Sequence, residues 1–255
     1  MGKAWGKSWS FSPGLSLNDR LWGGTMSWYR VFQLIMTPFA HAVARLEVVG
    51  KENIPKTGPF ILVPNHQSFL DPIIVQVLCR RPLHTLAKST QFTGKIMGWI
   101  MPHVYAIPTR RYRIEPQAVR VVLRRLADGE AVGVYPEGER SWDARLQPFR
   151  RGTIRLLLKA GVPIIPCGLA GSYDVWPRWS KTLRRRRIRV EFGKAIQWPA
   201  MNRREERNAF LPEAAEHLRE ALASLSSWRH LESAKATSDG IAGGQRLPPW
   251  LEETA

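Results

Sequence analysis

Short apolar runs alternate with longer segments of helical character along most of the chain. The apolar runs predict β-strands at Leu46–Val49, Phe60–Pro64, His84–Ala87, Val104–Ile107, Ala131–Tyr135, Pro163–Leu169 and Ile188–Phe192. The segments between and after them predict helices at Pro72–Leu78, Gln91–Ile100, Pro116–Ala127, Thr153–Ala160 and Arg204–Leu225. Strands that alternate with helices favour an α/β fold, here a mixed, mostly parallel sheet of about seven strands covered by helices.

The longest apolar stretch, Trp28–Leu46, is interrupted by polar residues and by a proline. A membrane-spanning helix needs about 20 mostly apolar residues, so this stretch falls short. We expect Pro38 to divide it into two short helices that lie in or on the membrane plane. A helix buried against the main domain fits the same pattern, but Trp22, Trp28 and Tyr29 favour the interface. We therefore predict an N-terminal membrane-associating helical segment at residues 1–45, one domain at 46–230 and a loose polar tail at 231–255.

The net charge of the sequence bears on the kind of binding partner. The 255 residues include 38 Lys and Arg against 21 Asp and Glu, a net charge of +17, so an anionic partner is expected. Nucleic acid, a phospholipid surface and an acidic carrier protein all qualify, and the 11 tryptophans favour the membrane surface. The basic stretch Arg178–Arg189 suits an anionic leaflet or a carrier protein, although a basic surface loop without a specific partner fits equally well.

Cysteine use and the N-terminal sequence bear on the compartment. Cys79 and Cys167 lie in apolar runs and provide neither a disulfide framework nor a Cys-x-x-Cys metal spacing. The first twenty residues contain no apolar run of the kind that a secretory signal needs. We therefore expect a peripheral or monotopic protein on the cytoplasmic face of the cell membrane.

The first candidate for chemistry follows the strand Phe60–Pro64, which leads directly into Asn65 and His66, with Asp71 further along. On a continuous helix this five-residue separation would place His66 and Asp71 about 140° apart, so they can meet only across a turn. A carboxylate that binds one imidazole nitrogen leaves the other as a base able to deprotonate an alcohol. A histidine held by a helix-start aspartate for structural reasons would have the same spacing.

Three further segments place basic groups at the ends of predicted elements. Arg110 and Arg111 follow one strand, the run Glu137–Ser141 follows another, and Arg150 precedes a helix whose N-terminal N–H groups can face an anion. Together with the His-Asp pair, these groups predict a site that binds a phosphate and deprotonates a nearby hydroxyl.

The blocks NHQSFLD, AIPTRR, YPEGERS, FRRG and VPIIPCG occur in this order between about Leu46 and Gly193. As a set they resemble the motifs of the glycerophospholipid acyltransferase family, typified by 1-acylglycerol-3-phosphate acyltransferase. The resemblance implies transfer of a fatty acyl group from acyl-CoA or acyl carrier protein to the hydroxyl of lysophosphatidic acid, which gives phosphatidic acid at a membrane surface. It implies no metal and no cofactor besides the acyl donor. Another lysophospholipid acceptor is the alternative.

The resemblance also assigns roles to residues. His66 is the implied catalytic base and Asp71 is the residue that orients it. The implied substrate-binding residues are Asn65, Ser68, Arg110, Arg111, Glu137, Gly138, Arg140, Ser141, Arg150 and Gly152. Two positions depart from the family pattern, because Glu139 stands where Thr is usual and Arg150 where Lys is usual. A carboxylate at Glu139 that pointed into the pocket would repel a phosphate dianion, which is why the alternative acceptor stays open.

A protein of another class could share the overall charge. A basic nucleic-acid-binding protein would explain the arginine runs and the aromatic residues. It would leave the His66–Asp71 pair and the apolar N-terminal segment without a role. We therefore expect an enzyme and no nucleic-acid partner.

Overall fold

Seven β-strands form one sheet at the centre of the computed structural model, which describes residues 28–110 and 115–226. The strands are β1 (Ala44–Val49), β2 (Phe60–Pro64), β3 (Leu83–Lys88), β4 (Ala106–Thr109), β5 (Ala131–Gly133), β6 (Ile164–Ala170) and β7 (Arg186–Phe192). Their order across the sheet is β1-β7-β6-β2-β5-β3-β4, and every neighbouring pair is parallel except β6 with β7. The predicted mixed, mostly parallel sheet is confirmed.

Strand β2 lies at the middle of this sheet, between β5 and β6. Its five residues are all buried, as expected of a parallel strand covered on both faces. Leu62 pairs with Gly133 of β5, and Pro64 pairs with Cys167 of β6. Because the carboxyl ends of parallel strands meet at one edge of a sheet, the residues after β2 and β5 emerge side by side.

Helices cover both faces. They are α1 (Trp28–Val43), α2 (Asp71–Leu78), α3 (Lys95–His103), α4 (Pro116–Ala127), α5 (Arg151–Ala160), the single turn α6 (Ser172–Val175) and α7 (Arg204–Ser226). Short 3₁₀ turns occupy Lys51–Asn53 and Ser89–Phe92. Along β2, Ile61 and Val63 pack into a core with α4, α5 and α7, whereas Phe60 and Leu62 pack into a second core with α2. This alternation places one apolar core on each side of the sheet.

Two predicted helices differ from the structure. The helix predicted at Gln91–Ile100 is instead a 3₁₀ turn followed by α3, because Gly94 breaks the chain with a φ of +86°. Helix α1 runs through Pro38 without dividing, so the expected pair of short helices is wrong. The Thr37 hydroxyl donates to the Gln33 carbonyl at 2.6 Å in the turn just before the proline.

Contacts with the rest of the fold hold α1 in place. The Gln33 side chain donates to the carbonyls of Gln76 and Cys79 at 2.9 and 3.0 Å. Tyr29 and Ala40, near opposite ends of α1, are both buried. One face of the helix thus packs on the domain, and its membrane association stays a prediction. Trp22 and the predicted tail at 231–255 lie outside the described residues. Within the described ranges, no helix has both the length and the apolar character needed to cross a membrane.

Candidate active site

The turn after β2 brings His66 and Asp71 together. The His66 Nδ1 atom lies 2.9 Å from Asp71 Oδ2, and Asp71 is the first residue of α2. The same oxygen accepts the backbone N–H groups of Gln67 and Ser68, both at 2.6 Å. The Asp71 side chain is fully buried, whereas the His66 side chain is 16% exposed. The sequence prediction that these two side chains meet across a turn therefore matches the geometry.

This geometry fixes how the imidazole can act. A carboxylate oxygen at Nδ1 accepts a hydrogen bond, so Nδ1 carries the proton and Nε2 offers a lone pair. The ring of Tyr135 packs against the imidazole with centroids 4.3 Å apart. Burial raises the pKa of the Tyr135 phenol, which keeps that neighbour uncharged. His66 can therefore accept a proton at Nε2 while Asp71 stabilises the cation that forms.

The loop after β5 holds the backbone of His66. Glu137 Oε1 accepts the His66 N–H at 2.7 Å, and Ser141 donates its N–H to the His66 carbonyl at 2.8 Å. Glu137 Oε2 accepts the N–H of Gln147 at 2.9 Å. Burial raises the pKa of Glu137 to about 8, although these two N–H donors favour its ionised form. Glu137 is thus a support for the turn that holds His66 and Asp71, and its predicted contact with substrate stays a prediction.

Two more predicted substrate-binding residues are engaged with the main chain. Asn65 donates to the Leu169 carbonyl at 3.0 Å and accepts the Leu169 N–H at 2.6 Å, which ties the end of β2 to β6. The Ser68 hydroxyl donates to the Trp176 carbonyl at 2.8 Å. Both residues are buried, so the structure gives them a role in building the site, and substrate contact by either stays a prediction.

Glu139 faces two guanidinium groups. Its Oε1 lies 3.0 Å from Arg150 Nη2, and its Oε2 lies 2.9 Å from Arg178 Nη1. Arg150 also donates from Nε to the Glu137 carbonyl at 3.1 Å. Gly138, between the two glutamates, has a φ of +74°, a conformation that favours glycine. The carboxylate that departs from the family pattern is therefore compensated by two positive charges.

The remaining predicted residues are Arg110, Arg111, Arg140 and Gly152. The Arg140 guanidinium lies 6.0 Å from the ring centroid of Phe69, in the turn between His66 and Asp71. Arg110, at the end of β4, is largely exposed and pairs with Glu115 at 2.8 Å. Gly152 is exposed in the first turn of α5. Arg111 lies outside the described residues, and phosphate contacts by these residues stay predictions.

Arg178 contributes to the site, a role that the sequence pattern does not predict. This residue lies in the basic stretch Arg178–Arg189, for which the sequence indicates a surface for an anionic partner. Its side chain is only 15% exposed and reaches Glu139, 39 residues earlier in the chain. A half-buried arginine therefore lies at the start of the stretch, and the only sequence signal for its role is the unusual glutamate at position 139.

No group of three or more His, Cys, Asp or Glu side chains within residues 28–110 and 115–226 is placed to hold a metal ion. Cys79 and Cys167 are both buried free thiols.

Known proteins resemble the chain in sequence and fold. The family model described as acyltransferase matches residues 45–170. A chloroplastic 1-acyl-sn-glycerol-3-phosphate acyltransferase from Brassica napus is 30% identical over 166 residues, which cover 59% of this chain and 48% of that protein. The protein named 1-acyl-sn-glycerol-3-phosphate acyltransferase in Bacillus subtilis is 27% identical over 127 residues, or 49% of this chain and 63% of that protein. The chain matches about half the length of the first curated relatives.

A solved structure shares the fold. The crystal structure of the 1-acyl-sn-glycerophosphate acyltransferase PlsC from Thermotoga maritima superposes with a TM-score of 0.62 at 23% identity. The superposition covers 75% of this chain and 78% of that one. The family-model match includes the His66–Asp71 turn and the loop that supports it, but it ends before Arg178.

Proposed function

The chain belongs to the acyltransferase family, and from this premise we propose that it transfers a fatty acyl group from an acyl thioester to lysophosphatidic acid, giving phosphatidic acid. The observation that carries the proposal is the His66–Asp71 pair, with Nδ1 and Oδ2 2.9 Å apart at the open end of β2. The names of the relatives from Brassica napus and Bacillus subtilis support the choice of acceptor.

The proposed reaction is a direct transfer. His66 Nε2 takes the proton of the acceptor hydroxyl as the hydroxyl oxygen attacks the thioester carbonyl carbon. The new C–O bond forms, the C–S bond breaks, and the departing thiolate takes the proton from the imidazolium. General-base catalysis of this kind contributes about 10²- to 10⁴-fold in rate. A thioester is already activated, so no covalent acyl-enzyme is required. CoA or acyl carrier protein supplies the thiol of the donor.

The charges around the loop after β5 support an acceptor that bears a phosphate. The expected repulsion by Glu139 is offset, because Arg150 and Arg178 both lie within 3.0 Å of its carboxylate oxygens. Arg140, the residue directly after Glu139, supplies a further guanidinium group on the same loop. We therefore retain lysophosphatidic acid as acceptor over an uncharged or zwitterionic lysolipid.

An exposed apolar face supports peripheral association with a membrane surface, which we propose to be the cytoplasmic one. Its residues lie on α1 and α3, and each is more than two-fifths exposed: Leu34, Ile35, Ile96, Met97 and Trp99. Trp28 joins the two helices, with its ring 5.0 Å from that of Trp99. Large apolar groups and tryptophan are favoured where a protein meets lipid. Each basic residue of the stretch Lys181–Arg186 close to an anionic leaflet would add about 1 kcal/mol of attraction.

The test is acyl transfer by the full chain from palmitoyl-CoA and from palmitoyl-acyl carrier protein to a panel of lysolipids. We expect transfer to lysophosphatidic acid by the wild type and losses of at least about 100-fold in His66→Ala and Asp71→Ala. His217→Ala, which removes an exposed histidine on α7, is the matched control and should keep full activity. Absence of transfer to every acceptor, or full activity of folded His66→Ala, would refute the proposal.

A further inference from the structure

The segment Trp176–Arg178, between α6 and β7, contacts both turns that build the active site. On one side, the Trp176 carbonyl accepts the Ser68 hydroxyl at 2.8 Å, and the Trp176 ring meets Phe69 edge-on with centroids 5.2 Å apart. On the other side, Arg178 reaches the loop after β5. One short segment therefore links the catalytic turn to the loop that supports it.

Arg178 makes three contacts with that loop. Its Nη1 donates to Glu139 Oε2 at 2.9 Å and to the Arg140 carbonyl at 3.3 Å. Its guanidinium carbon lies 3.7 Å from the centroid of the Trp142 ring, within the range of a cation–π contact. The side chain is 15% exposed. These contacts use both the hydrogen-bonding edge and the flat face of the guanidinium, which a lysine ammonium cannot reproduce.

Glu139 extends the contact to a third element. Its second oxygen pairs with Arg150, the residue that precedes α5, at 3.0 Å. The carboxylate thus lies between one guanidinium from the segment after α6 and another at the start of α5. Three separate parts of the fold therefore meet at this carboxylate. The loop Glu137–Ser141 is held through both carboxylate oxygens of Glu139, one on each arginine.

We propose that Arg178 is a positioning residue for recognition of the acceptor phosphate. It holds the loop Glu137–Ser141 by the Glu139 side chain, the Arg140 carbonyl and the Trp142 ring, and so presents the Arg140 side chain to the phosphate. The inference rests on the proposed function and adds to it a residue outside the region that the family model matches. Arg178 acts through the loop, since its own face and Nη1 are already engaged by protein groups.

The first test needs no substrate. Hydrogen exchange followed by mass spectrometry compares the full-length wild type with Arg178→Gln and with Arg219→Gln, which removes the same charge from the exposed face of α7. We expect exchange in peptides spanning residues 138–147 to be about tenfold faster in Arg178→Gln and unchanged in Arg219→Gln, because loss of a charge-assisted bond eases local opening. Unchanged exchange in Arg178→Gln would overturn the inference, whether or not the protein transfers acyl groups.

The second test separates acceptor recognition from chemistry. With palmitoyl-CoA and lysophosphatidic acid, we expect Arg178→Gln to raise the KM for the acceptor about tenfold, with kcat and the KM for palmitoyl-CoA changed less than about twofold. Arg178→Lys should resemble Arg178→Gln, because it keeps the charge but loses the fork and the stacking face. Recovery of the wild-type KM by Arg178→Lys would overturn the inference, since charge alone would then suffice.

A double variant tests whether Arg178 works through Glu139. Arg178→Gln should raise the acceptor KM less in a Glu139→Gln background than in the wild type, because the contact between the two side chains is already absent there. Additive effects would mean that Arg178 meets the phosphate itself and would overturn the positioning role. If Arg178→Gln does not fold, Trp142→Leu, which removes only the stacking face, gives the same two readouts. A wild type without acyl transfer would refute the proposed function, and the exchange experiment would still decide whether Arg178 holds the loop.

Discussion

Asp71→Asn is the substitution whose outcome the geometry constrains most. Asp71 Oδ2 accepts the N–H groups of Gln67 and Ser68 as well as the His66 ring. The asparagine must place its carbonyl oxygen at that position, because an NH₂ group there would face two N–H donors. The ring of His66 then keeps its orientation and tautomer, and only the negative charge is lost. The variant therefore separates electrostatic stabilisation of the imidazolium from simple positioning.

The size of the effect follows from the distance. Two opposite charges 2.9 Å apart attract by about 6 kcal/mol at an effective dielectric constant of about 20. This energy is an upper limit on the effect. The carboxylate already binds the neutral imidazole before the proton is transferred, so only the difference between the two interactions lowers the barrier. General-base catalysis contributes about 10²- to 10⁴-fold in all, so a loss near 10³-fold in kcat is consistent with both limits. The asparagine NH₂ would be buried at the Oδ1 position, where Asp71 has no hydrogen-bond partner among the described residues, and would cost about 1–3 kcal/mol of stability.

The assay is release of CoA from palmitoyl-CoA at saturating lysophosphatidic acid, with thermal unfolding measured on the same samples. Asp71→Ala should lose more than Asp71→Asn, because it also removes the acceptor that orients the ring. Asp128→Asn, which makes the same chemical change at an exposed position after α4, should leave kcat unchanged. A folded Asp71→Asn with a kcat within about threefold of the wild type would refute the role of the charge.

Three further substitutions test other parts of the structure. Asn65→Ala should lower the free energy of unfolding in urea by about 2–5 kcal/mol, because it leaves two buried main-chain groups of Leu169 without partners; a raised acceptor KM at unchanged stability would instead identify Asn65 as a substrate ligand. The folded-state pKa of Glu137, about 8, lies above its ordinary 4.5, so the folded protein binds the extra proton and loses stability as the pH rises between these values. Glu137→Gln should flatten this decline in the melting temperature between pH 5 and 9, and an identical slope in both proteins would contradict the assignment. Ile96→Glu should reduce flotation with phosphatidylglycerol vesicles several-fold at unchanged circular dichroism, because it places a charge on the exposed apolar face; undiminished flotation would exclude this face as the contact.

Much of the fold could be predicted because its signals are local. Strand β2 is a continuous apolar run that ends at a proline, and α4 begins at Pro116 and ends before Gly129. The His66–Asp71 contact could also be predicted from the sequence. A five-residue separation permits the pair only across a turn, and Pro72 favours a helix start there. In each case the residues that determine the structure are close together in the sequence.

The parts that could not be predicted depend on contacts between distant residues. Glu137 accepts the His66 N–H across 71 positions, and nothing in its surrounding sequence distinguishes a support from a substrate ligand. Helix α1 continues through Pro38, with Gln33 bonded to carbonyls at the end of α2, more than 40 residues away, and Ala40 buried on the other side of the proline. Propensity alone predicts a break at Pro38, and tertiary contacts on both sides of it override that preference.

The two departures from the family pattern form one compensating change. A glutamate at 139 without partners would oppose a phosphate, and Arg150 in place of Lys would change little by charge alone. In the structure Arg150 uses Nη2 for Glu139 and Nε for the Glu137 carbonyl, at 3.0 and 3.1 Å, and only a guanidinium fork can make both contacts. Arg178 supplies the second cation, so the three charged side chains sum to +1 and the loop remains attractive to an anion. Glu139→Thr in this chain would therefore remove the ion pairs with both Arg178 and Arg150, and restoring the usual residue should weaken acceptor binding.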